Sequence, residues 1–498
     1  MRVTLESLFA SDSTPRRGRQ VVRQGSAKPL SAVRFRPAPP SFFRSNRFES
    51  AVSDPRITSA SLPGSIAATR LALLILFLLP AAATLFSSSS RAQSNLTGLW
   101  DASITLDHAE IPFRFEIAES KGQLQGFFFE GDKKIASTSG HFANGELQFR
   151  YDFLYSTLTA TLNGDELAGT YRYNRKNGKT YPFRAHRFQP SATAANSQAA
   201  VPQIAGNWEM HLVGEDHSPK KDSRAVLSWK LFLRQSGPAV TGSILRIDGD
   251  TGTLTGSWRG NTLVLSHFAG ERPVLFEAQL QPDGTLTITY NRLNQYVAAR
   301  TSEAQAKGIP EPPDPKRFSS VADPSAPFHF RFPDSNGQLV SDSDPRFEGK
   351  VVLLAIGGTW CPNCRDEAPF LVDLYRRYHA QGLEIVGLNF EAAGDPVEDN
   401  PRIAAFIREF SVPYPVLLAG TVGEVPQKLP QLVNFGAYPT TVFLGRDGRV
   451  RSIHAGFASS ATGQANYELA ADVRASLEQL LAEAAPPTAN EVAARRFH

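Results

Sequence analysis

The sequence of 498 residues predicts a multi-domain protein in which two antiparallel β repeats, each a barrel or a sandwich, precede a C-terminal α/β domain. Two observations predict this order. Within residues 95–300, similar segments occur twice, and short alternating apolar runs are separated by Gly, Asn-Gly and Asp-Gly turns, the pattern of antiparallel hairpins. From residue 328 onward, longer continuous apolar runs alternate with helical segments, as expected for a sheet covered on both faces.

Charge is unevenly distributed along the chain. The first 70 residues carry twelve Lys and Arg against four Asp and Glu, a net charge of +8, whereas the whole chain has a net charge of +4. The rest of the chain is therefore mildly acidic. The overall basic balance does not indicate nucleic-acid binding, and no nucleic-acid partner is expected.

The N-terminal region contains one long apolar run. Residues 1–64 are rich in Arg, Ser and Pro, and we interpret them as a disordered basic leader or as the result of a mis-called start. The run RLALLILFLLPAAATLF at 70–86 follows this basic stretch and precedes a small-x-small sequence, Ser-Arg-Ala, at 90–92. Residues 65–92 thus predict a signal peptide or an N-terminal membrane anchor. Both interpretations place the folded part outside the cytoplasm, periplasmic or anchored to the membrane.

The duplicated part comprises residues 95–188 and 204–300, which we predict to be two β-domains. The sequence LTGLW, which ends at Trp100, recurs as IAGNW, which ends at Trp208. This Gly-x-Trp opening faintly resembles that of lipocalin-like barrels. A Trp at the start of the first strand is more often part of a core than a ligand contact, so we predict a core role for both side chains. The sequence identifies no ligand for the repeats.

The C-terminal part is divided by composition. Residues 301–325 are Pro-rich and predict a semi-rigid linker, residues 326–485 predict the α/β domain, and residues 486–498 predict a disordered tail. Apolar runs predict strands within 328–332, 350–358, 383–390, 414–419 and 440–457. Apolar residues at helical spacing predict helices within 368–382, 401–410 and 467–484.

Both cysteines of the chain lie in the sequence GTWCPNCRDEAP, residues 358–369. A predicted strand and a short turn precede Cys361, and a helix follows it. Free N–H groups and the positive dipole end of a helix N-terminus stabilise a thiolate, and Pro362 suits the first helical turn because it lacks an N–H. Cys364 lies one turn later, within reach of the Cys361 sulfur. The spacing predicts that Cys361 attacks a disulfide and that Cys364 resolves the product.

Other uses of a CxxC pair are less well supported. A structural zinc site needs four ligands, and the histidines, among them His379 and His454, show no ligand spacing. A purely structural disulfide would close a very small loop and constrain little of the unfolded chain. A peroxidase would need a Thr-x-x-Cys pocket, whereas Thr359 precedes Cys361 by only two residues. Redox exchange is therefore favoured, and we expect no metal ion and no other cofactor.

Residues 326–457 resemble the thioredoxin superfamily, and specifically its exported TlpA-like redoxin branch of thiol–disulfide oxidoreductases. The resemblance rests on GKVVLLAIGGTWCPNCRDEAPFL and on the downstream sequence YPTTVFLGRDGRV. It implies a thioredoxin-like domain at 326–485, a redox-active disulfide between Cys361 and Cys364, and a cis peptide bond before Pro439. It covers about a third of the chain and leaves the β repeats unexplained.

The resemblance also implies roles for residues around the cysteine pair. The catalytic residues would be Cys361, Cys364 and Glu367. The substrate-binding residues would be Trp360, Pro362, Tyr438, Pro439 and Thr440. The alternatives are a core position for Trp360 and a solvated helix face for Glu367. Thioredoxins place a buried Asp six residues before the first cysteine, where this chain has Ala355, so Glu367 or water is expected to take the proton of Cys364.

The sequence thus predicts an exported thiol–disulfide oxidoreductase that reduces protein disulfides through a dithiol relay. Its expected partners are proteins with disulfides as substrates and a membrane thiol protein as electron donor. The motif does not fix the direction, because reduction potentials in this fold range from about −270 to −120 mV. A second hypothesis is a ligand- or partner-binding β-repeat protein that carries an accessory redox module.

Overall fold

The computed structural model describes residues 96–120, 122–174, 178–189, 201–215 and 228–484. These residues form two antiparallel β-domains followed by an α/β domain with a mixed sheet, as the sequence predicts. The predicted leader, the signal or anchor segment and the C-terminal tail lie outside the described residues. Within the described ranges, no helix is both long enough and apolar enough to cross a membrane.

The first β-domain, residues 96–189, is a nine-stranded antiparallel sheet that forms half a barrel. Its strands are β1 (Gly98–Leu106), β2 (Ala109–Ser120), β3 (Gln123–Glu130), β4 (Lys133–Ala136), β5 (Ser139–Ala143), β6 (Glu146–Tyr151), β7 (Ser156–Asn163), β8 (Glu166–Tyr173) and β9 (Thr180–Arg187). The order in the sheet is β4-β3-β2-β1-β9-β8-β7-β6-β5. In β6, Leu147, Phe149 and Tyr151 are buried and the residues between them are exposed, so the strand follows the period of two read from the sequence.

The second β-domain, residues 201–300, is a closed barrel. Its strands are β10 (Gly206–Val213), β11 (Ser228–Ser236), β12 (Ala239–Arg246), β13 (Gly249–Asp250), β14 (Leu254–Arg259), β15 (Thr262–His267), β16 (Val274–Leu280), β17 (Leu286–Tyr290) and β18 (Asn294–Arg300). The sheet order is β11-β10-β18-β17-β16-β15-β14-β12-β13, and an additional pairing of β11 with β12 closes the barrel. The short strand β13 pairs only with the end of β12 and leaves the wall of the barrel.

The two repeated tryptophans occupy equivalent positions. Trp100 and Trp208 are fully buried, and each indole N–H donates to the main-chain carbonyl four residues earlier, at 3.0 and 2.9 Å. The guanidinium of Arg187 stacks 4.4 Å from the Trp100 ring centre, and that of Arg300 stacks 4.2 Å from the Trp208 ring centre. The predicted core role of both tryptophans is confirmed.

The segment between β15 and β16, residues 268–273, is named here the bridging loop because it contacts both other domains. Phe268 enters the core of the first β-domain, where its ring centre lies 4.9 Å from that of Phe113. The hydroxyl of Tyr171 donates to the carbonyl of Gly270 at 2.7 Å. The second β-domain therefore supplies part of the core of the first one, which explains why the first sheet need not close on itself.

The α/β domain, named here the redox domain, is built on a five-stranded mixed sheet of order β24-β23-β22-β26-β27. The strands of this part of the chain are β19 (Ser320–Val321), β20 (Arg331–Pro333), β21 (Leu339–Ser341), β22 (Val351–Gly357), β23 (Leu383–Glu391), β24 (Val416–Thr421), β25 (Leu432–Val433), β26 (Thr440–Leu444) and β27 (Val450–Ala455). Outside the five-stranded sheet, β19 pairs with β25 and β20 pairs with β21. The helices of the redox domain are α1 (Pro362–Tyr378), α2 (Pro396–Phe410), α3 (Val425–Lys428) and α4 (Gln464–Ala482). All nine residues of β23 are buried, in agreement with a strand covered on both faces.

Helices α1 and α2 begin well before the residues that their apolar pattern predicts, and α4 begins three residues early. Helix α1 starts at Pro362 because Cys361 caps it, and α2 starts at Pro396 because the Asp395 side chain accepts from the amide of Val397 at 3.0 Å. The first turns of α1 and α2 are largely polar, so they add little to the apolar periodicity. A further difference concerns the predicted linker, whose residues 320–321 pair with β25.

Candidate active site

The cysteine pair lies where β22 ends and α1 begins. Cys361 is the N-cap of α1, and its sulfur accepts a hydrogen bond from the amide of Cys364 at 3.2 Å. The two sulfurs form a disulfide, with the Cα atoms 5.3 Å apart. A Cβ atom on Gly357 would lie 3.1 Å from the Cys364 sulfur, so the strand end passes directly over it. Only 2% of Cys361 and 7% of Cys364 is exposed.

The turn before Cys361 is held by a buried carboxylate on β23. Glu391 accepts from the amide of Thr359 at 2.8 Å and from its hydroxyl at 2.7 Å, and the Asn389 amide donates to it at 2.9 Å. Burial raises the pKa of Glu391, while these hydrogen bonds lower it. The indole N–H of Trp360 donates to the carbonyl of Phe390 at 2.8 Å. The end of β23 therefore fixes both the turn and the indole beside the cysteines.

The loop before β26 lies next to this turn. The peptide bond between Tyr438 and Pro439 is cis, as the resemblance implies. Thr440 pairs with Ile356 in the antiparallel ladder between β26 and β22, which places Pro439 beside the end of β22. The rings of Tyr438 and Trp360 meet edge to face, with centres 5.2 Å apart. The structure thus brings the two distant motifs of the sequence together.

The five predicted substrate-binding residues have different surroundings. Trp360 and Pro362 line a cavity of about 370 Å³ between the redox domain and the β-domains. Pro439 and Thr440 are buried, and the Thr440 hydroxyl donates to a main-chain carbonyl of its own loop at 2.8 Å. The Tyr438 hydroxyl donates to the carbonyl of a neighbouring loop at 2.7 Å. Their roles in binding substrate stay predictions.

Glu367 lies one helical turn after Cys364 and is buried, so the alternative of a solvated helix face does not hold. Burial raises its pKa from 4.5 to about 7, although the hydrogen bond that it accepts from the Thr441 hydroxyl at 2.7 Å lowers it. A small cavity of about 30 Å³ is lined by Cys364, Glu367 and Ala355, among others. A volume of this size holds about one water molecule. The methyl group of Ala355 thus occupies the wall where thioredoxins place an acid.

Removal of the Thr441 hydroxyl should raise the pKa of Glu367 further. The hydroxyl stabilises the ionised carboxylate, and a hydrogen bond to a charged group contributes about 1.5 kcal/mol, or about one pH unit. In Thr441→Val we therefore expect the Glu367 titration to move about one pH unit above that of the wild type. NMR of the glutamate side-chain carboxyl carbons, assigned by comparison with Glu367→Gln, measures this shift. An unchanged midpoint would contradict the hydrogen bond.

Several polar residues of the site come from the second β-domain and were not predicted. Arg272 of the bridging loop donates through Nη1 to Asn363 Oδ1 at 3.0 Å and to Asp366 Oδ2 at 2.8 Å. The neighbouring Glu271 forms an ion pair with Arg365. Along the sequence, Arg272 is 91 residues from Asn363 and 94 residues from Asp366, and no local pattern links these residues.

Within the described part of the chain, no group of three or more His, Cys, Asp or Glu side chains is arranged to hold a metal ion.

Comparisons with known proteins agree with this geometry. The redoxin family model matches residues 321–469. The thiol-disulfide oxidoreductase ResA of Bacillus subtilis (strain 168) is 28% identical over 137 residues, which are 28% of this chain and 69% of that protein. The ResA protein of Bacillus thuringiensis (strain Al Hakam) is 29% identical over 122 residues, 24% of this chain and 63% of that protein.

The thiol:disulfide interchange protein DsbE of Escherichia coli (strain K12) is 30% identical over 147 residues, which are 29% of this chain and 70% of that protein. The chain thus spans roughly two thirds of the length of these relatives. A CxxC pair at the N-terminus of a helix, a cis-proline loop beside it and these similarities lead to one assignment. The chain belongs to the redoxin family of the thioredoxin superfamily, and its C-terminal third is a thiol–disulfide oxidoreductase module.

Proposed function

We propose that this protein is exported and reduces disulfides of other proteins through the Cys361–Cys364 pair. The observation that carries the proposal is the position of Cys361 as the N-cap of α1, where its sulfur accepts the amide of Cys364. This arrangement favours a thiolate at Cys361 over one at Cys364, because the first sulfur faces the free N–H groups and the positive end of the helix dipole.

The proposed reaction begins with the reduced pair. The Cys361 thiolate attacks one sulfur of the substrate disulfide and forms a mixed disulfide, and the other substrate sulfur leaves as a thiolate that takes up a proton. The Cys364 thiol then loses its proton and attacks the Cys361 sulfur, which releases the second substrate thiol. Two electrons have passed to the substrate, and the enzyme is left as the disulfide seen in the structure.

Glu367 is proposed to accept the proton of Cys364. Both groups line the cavity of about 30 Å³, which is large enough for one water molecule to connect them. With a pKa of about 7, Glu367 can hold or release a proton near neutral pH. The same carboxylic acid would return the proton to Cys364 when an electron donor reduces the disulfide again.

Direction and location belong to the proposal as well. Export is supported by the apolar run at 70–86 and the small-x-small sequence that follows it. A protein that acts as a reductant outside the cytoplasm needs a supply of electrons, and we propose a membrane thiol protein as the donor. The proposed substrates are proteins that carry disulfides.

Trapping of the mixed disulfide tests this function. Reduced Cys364→Ser should form a stable covalent adduct with a disulfide-containing protein, because nothing resolves the bond to Cys361. Cys361→Ser should form no adduct and should not turn over the substrate. Non-reducing electrophoresis followed by mass spectrometry of the linked peptides reads out both results. Full turnover by Cys361→Ser, or the absence of an adduct with Cys364→Ser, would refute the proposal.

A further inference from the structure

A turn of the second β-domain lies against the active-site helix. Residues Ile247–Asp250, named here the docking turn, comprise the two residues after β12 and the short strand β13. The side-chain amide of Asn363, between the two cysteines, donates to the carbonyl of Asp248 at 2.8 Å. A Cβ atom on Gly249 would lie 2.5 Å from Asn363 Cγ, so only glycine permits this approach. The docking turn thus contacts the N-terminal turn of α1 through its main chain.

The other side of the docking turn faces the cis-proline loop. Ile247 is buried against Ala437, two residues before Pro439, and against Ala455 at the end of β27. A Cβ atom on Gly456 would collide with the carbonyl of Ile247, and the amide of Gly456 donates to the carbonyl of Pro439 at 2.7 Å. The docking turn therefore occupies the space between the N-terminus of α1 and the cis-proline loop.

Buried polar contacts hold the docking turn in this place. The Asp250 side chain accepts from the amide of Ser459 at 2.6 Å and from its hydroxyl at 3.0 Å. Arg272 donates to the carbonyl of Asp250 at 3.1 Å, while it also contacts Asp366 of α1 and Glu130 of the first β-domain. Only 10% of the Arg272 side chain is exposed, so its charge is neutralised within this junction. All three domains therefore contribute polar contacts that hold the docking turn in place.

Both Cys361 and Pro439 are inaccessible to solvent while the docking turn lies in this space. Cys361 is 2% exposed and Pro439 is buried. To react, the Cys361 sulfur has to approach the substrate disulfide in line with its S–S bond, and this burial prevents a protein substrate from reaching that position. A cavity lined by Trp360 and Pro362, the neighbours of Cys361 in the chain, lies nearby, and its volume of about 370 Å³ suits a small molecule better than a polypeptide.

We propose that the space between the N-terminus of α1 and the cis-proline loop is the substrate groove, that the docking turn is its internal occupant, and that a protein disulfide reaches Cys361 only when the turn has withdrawn. The inference rests on the proposed function for the nature of the competing substrate. The polar contacts of Arg272 and the apolar contact of Ile247 set the fraction of molecules in which the groove is open. The cavity at Trp360 is lined by the residues on either side of Cys361, so a small thiol reagent needs a smaller movement of the protein to reach the Cys361 sulfur than a large one does.

The test compares two maleimides that share one reacting group and differ in size: N-ethylmaleimide and a maleimide linked to a long polyethylene glycol chain. The full-length protein in the Cys364→Ser background has Cys361 as its one thiol. A change in the pKa of Cys361 alters both rates equally, so the ratio of the large-reagent rate to the small-reagent rate reports access alone. We expect this ratio to rise about tenfold in Ile247→Ala and in Arg272→Ala, as a loss of about 1.4 kcal/mol of contact would produce.

Arg292→Ala is the matched control. Arg292 belongs to the same β-domain and pairs with Glu277 through an exposed guanidinium, so its loss removes an ion pair without touching the docking turn. The rate ratio should stay at the wild-type value in this variant. If Arg272→Ala does not fold, Ile247→Ala carries the test. An unchanged ratio in a folded Ile247→Ala variant would overturn the inference, and it would do so even where trapping by Cys364→Ser succeeds.

Discussion

Glu367→Gln should slow the resolution of the mixed disulfide about 100-fold while it leaves the first attack by Cys361 unchanged, because loss of a general base typically costs a factor of that order. Gln cannot accept the proton of Cys364, and Ala355 offers no second acceptor in the cavity wall. The deprotonation of Cys364 then depends on water alone. The defect is therefore confined to the step in which Cys364 becomes a nucleophile.

Ellman's reagent separates the two steps in one experiment. Attack by Cys361 releases the first coloured thiolate, and attack by Cys364 on the resulting mixed disulfide releases the second. In the wild type, the rate of the second phase should rise through pH 7 and then level off, since the base form of Glu367 accumulates above its pKa of about 7. In Glu367→Gln this inflection should disappear.

The control for this substitution is Glu384→Gln. Glu384 is a largely buried carboxylate of the same domain whose pKa is also raised by burial, and it lies beside His379 at the start of β23, far along the strand from Glu391. Its neutralisation should leave both phases unchanged. A second phase in Glu367→Gln that matches the wild type at pH 8 would show that another group takes the proton.

The redox domain was readable from the sequence because its signals are local. A continuous apolar strand, a CxxC sequence at a helix start and a Tyr-Pro-Thr sequence before a strand each depend on neighbouring residues. The alternation of the β repeats is equally local, and it predicted antiparallel strands for both. The raised pKa of Glu367 could not be predicted from the sequence, because it depends on which strands bury the side chain.

The junction between the domains could not be predicted for the same reason. Phe268 is one aromatic residue among many in a strand-rich region, and nothing in the sequence shows that it enters the core of the other repeat. The sequence around Arg272 likewise gives no sign of its role, although this residue joins three domains beside the cysteines. Contacts of this kind depend on how separately folded units meet, and periodicity carries no information on that.

The buried acid should also have a cost in stability that depends on pH. The pKa of Glu367 is about 7 in the folded protein against 4.5 in an exposed chain, so the folded state favours the protonated form. Its contribution is fully present below pH 4.5 and is lost as pH rises through 7. A difference of this size corresponds to about 3 kcal/mol of unfolding free energy at pH 8.

Glu367→Gln should therefore be more stable than the wild type at alkaline pH, despite its slower chemistry. Gln stays neutral at every pH, so the unfolding free energy of the variant should gain about 3 kcal/mol on that of the wild type between pH 4.5 and pH 8. Other buried acids, such as Glu391, titrate equally in both proteins and cancel in this difference. The comparison is made with the Cys361–Cys364 disulfide intact in both.

Hydrogen exchange of amides in β22 and β26, measured in urea, gives the stability of the redox domain separately from that of the β-domains. The expected result is a stability difference between variant and wild type that grows from pH 5 to pH 8. A constant difference would show that Glu367 ionises in the folded protein as it does in water, and the proposed role as proton acceptor near neutral pH would lose its basis. If the difference grows, the ionised Glu367 carboxylate that weakens the fold above pH 7 is the same base that is proposed to accept the proton of Cys364 in each cycle.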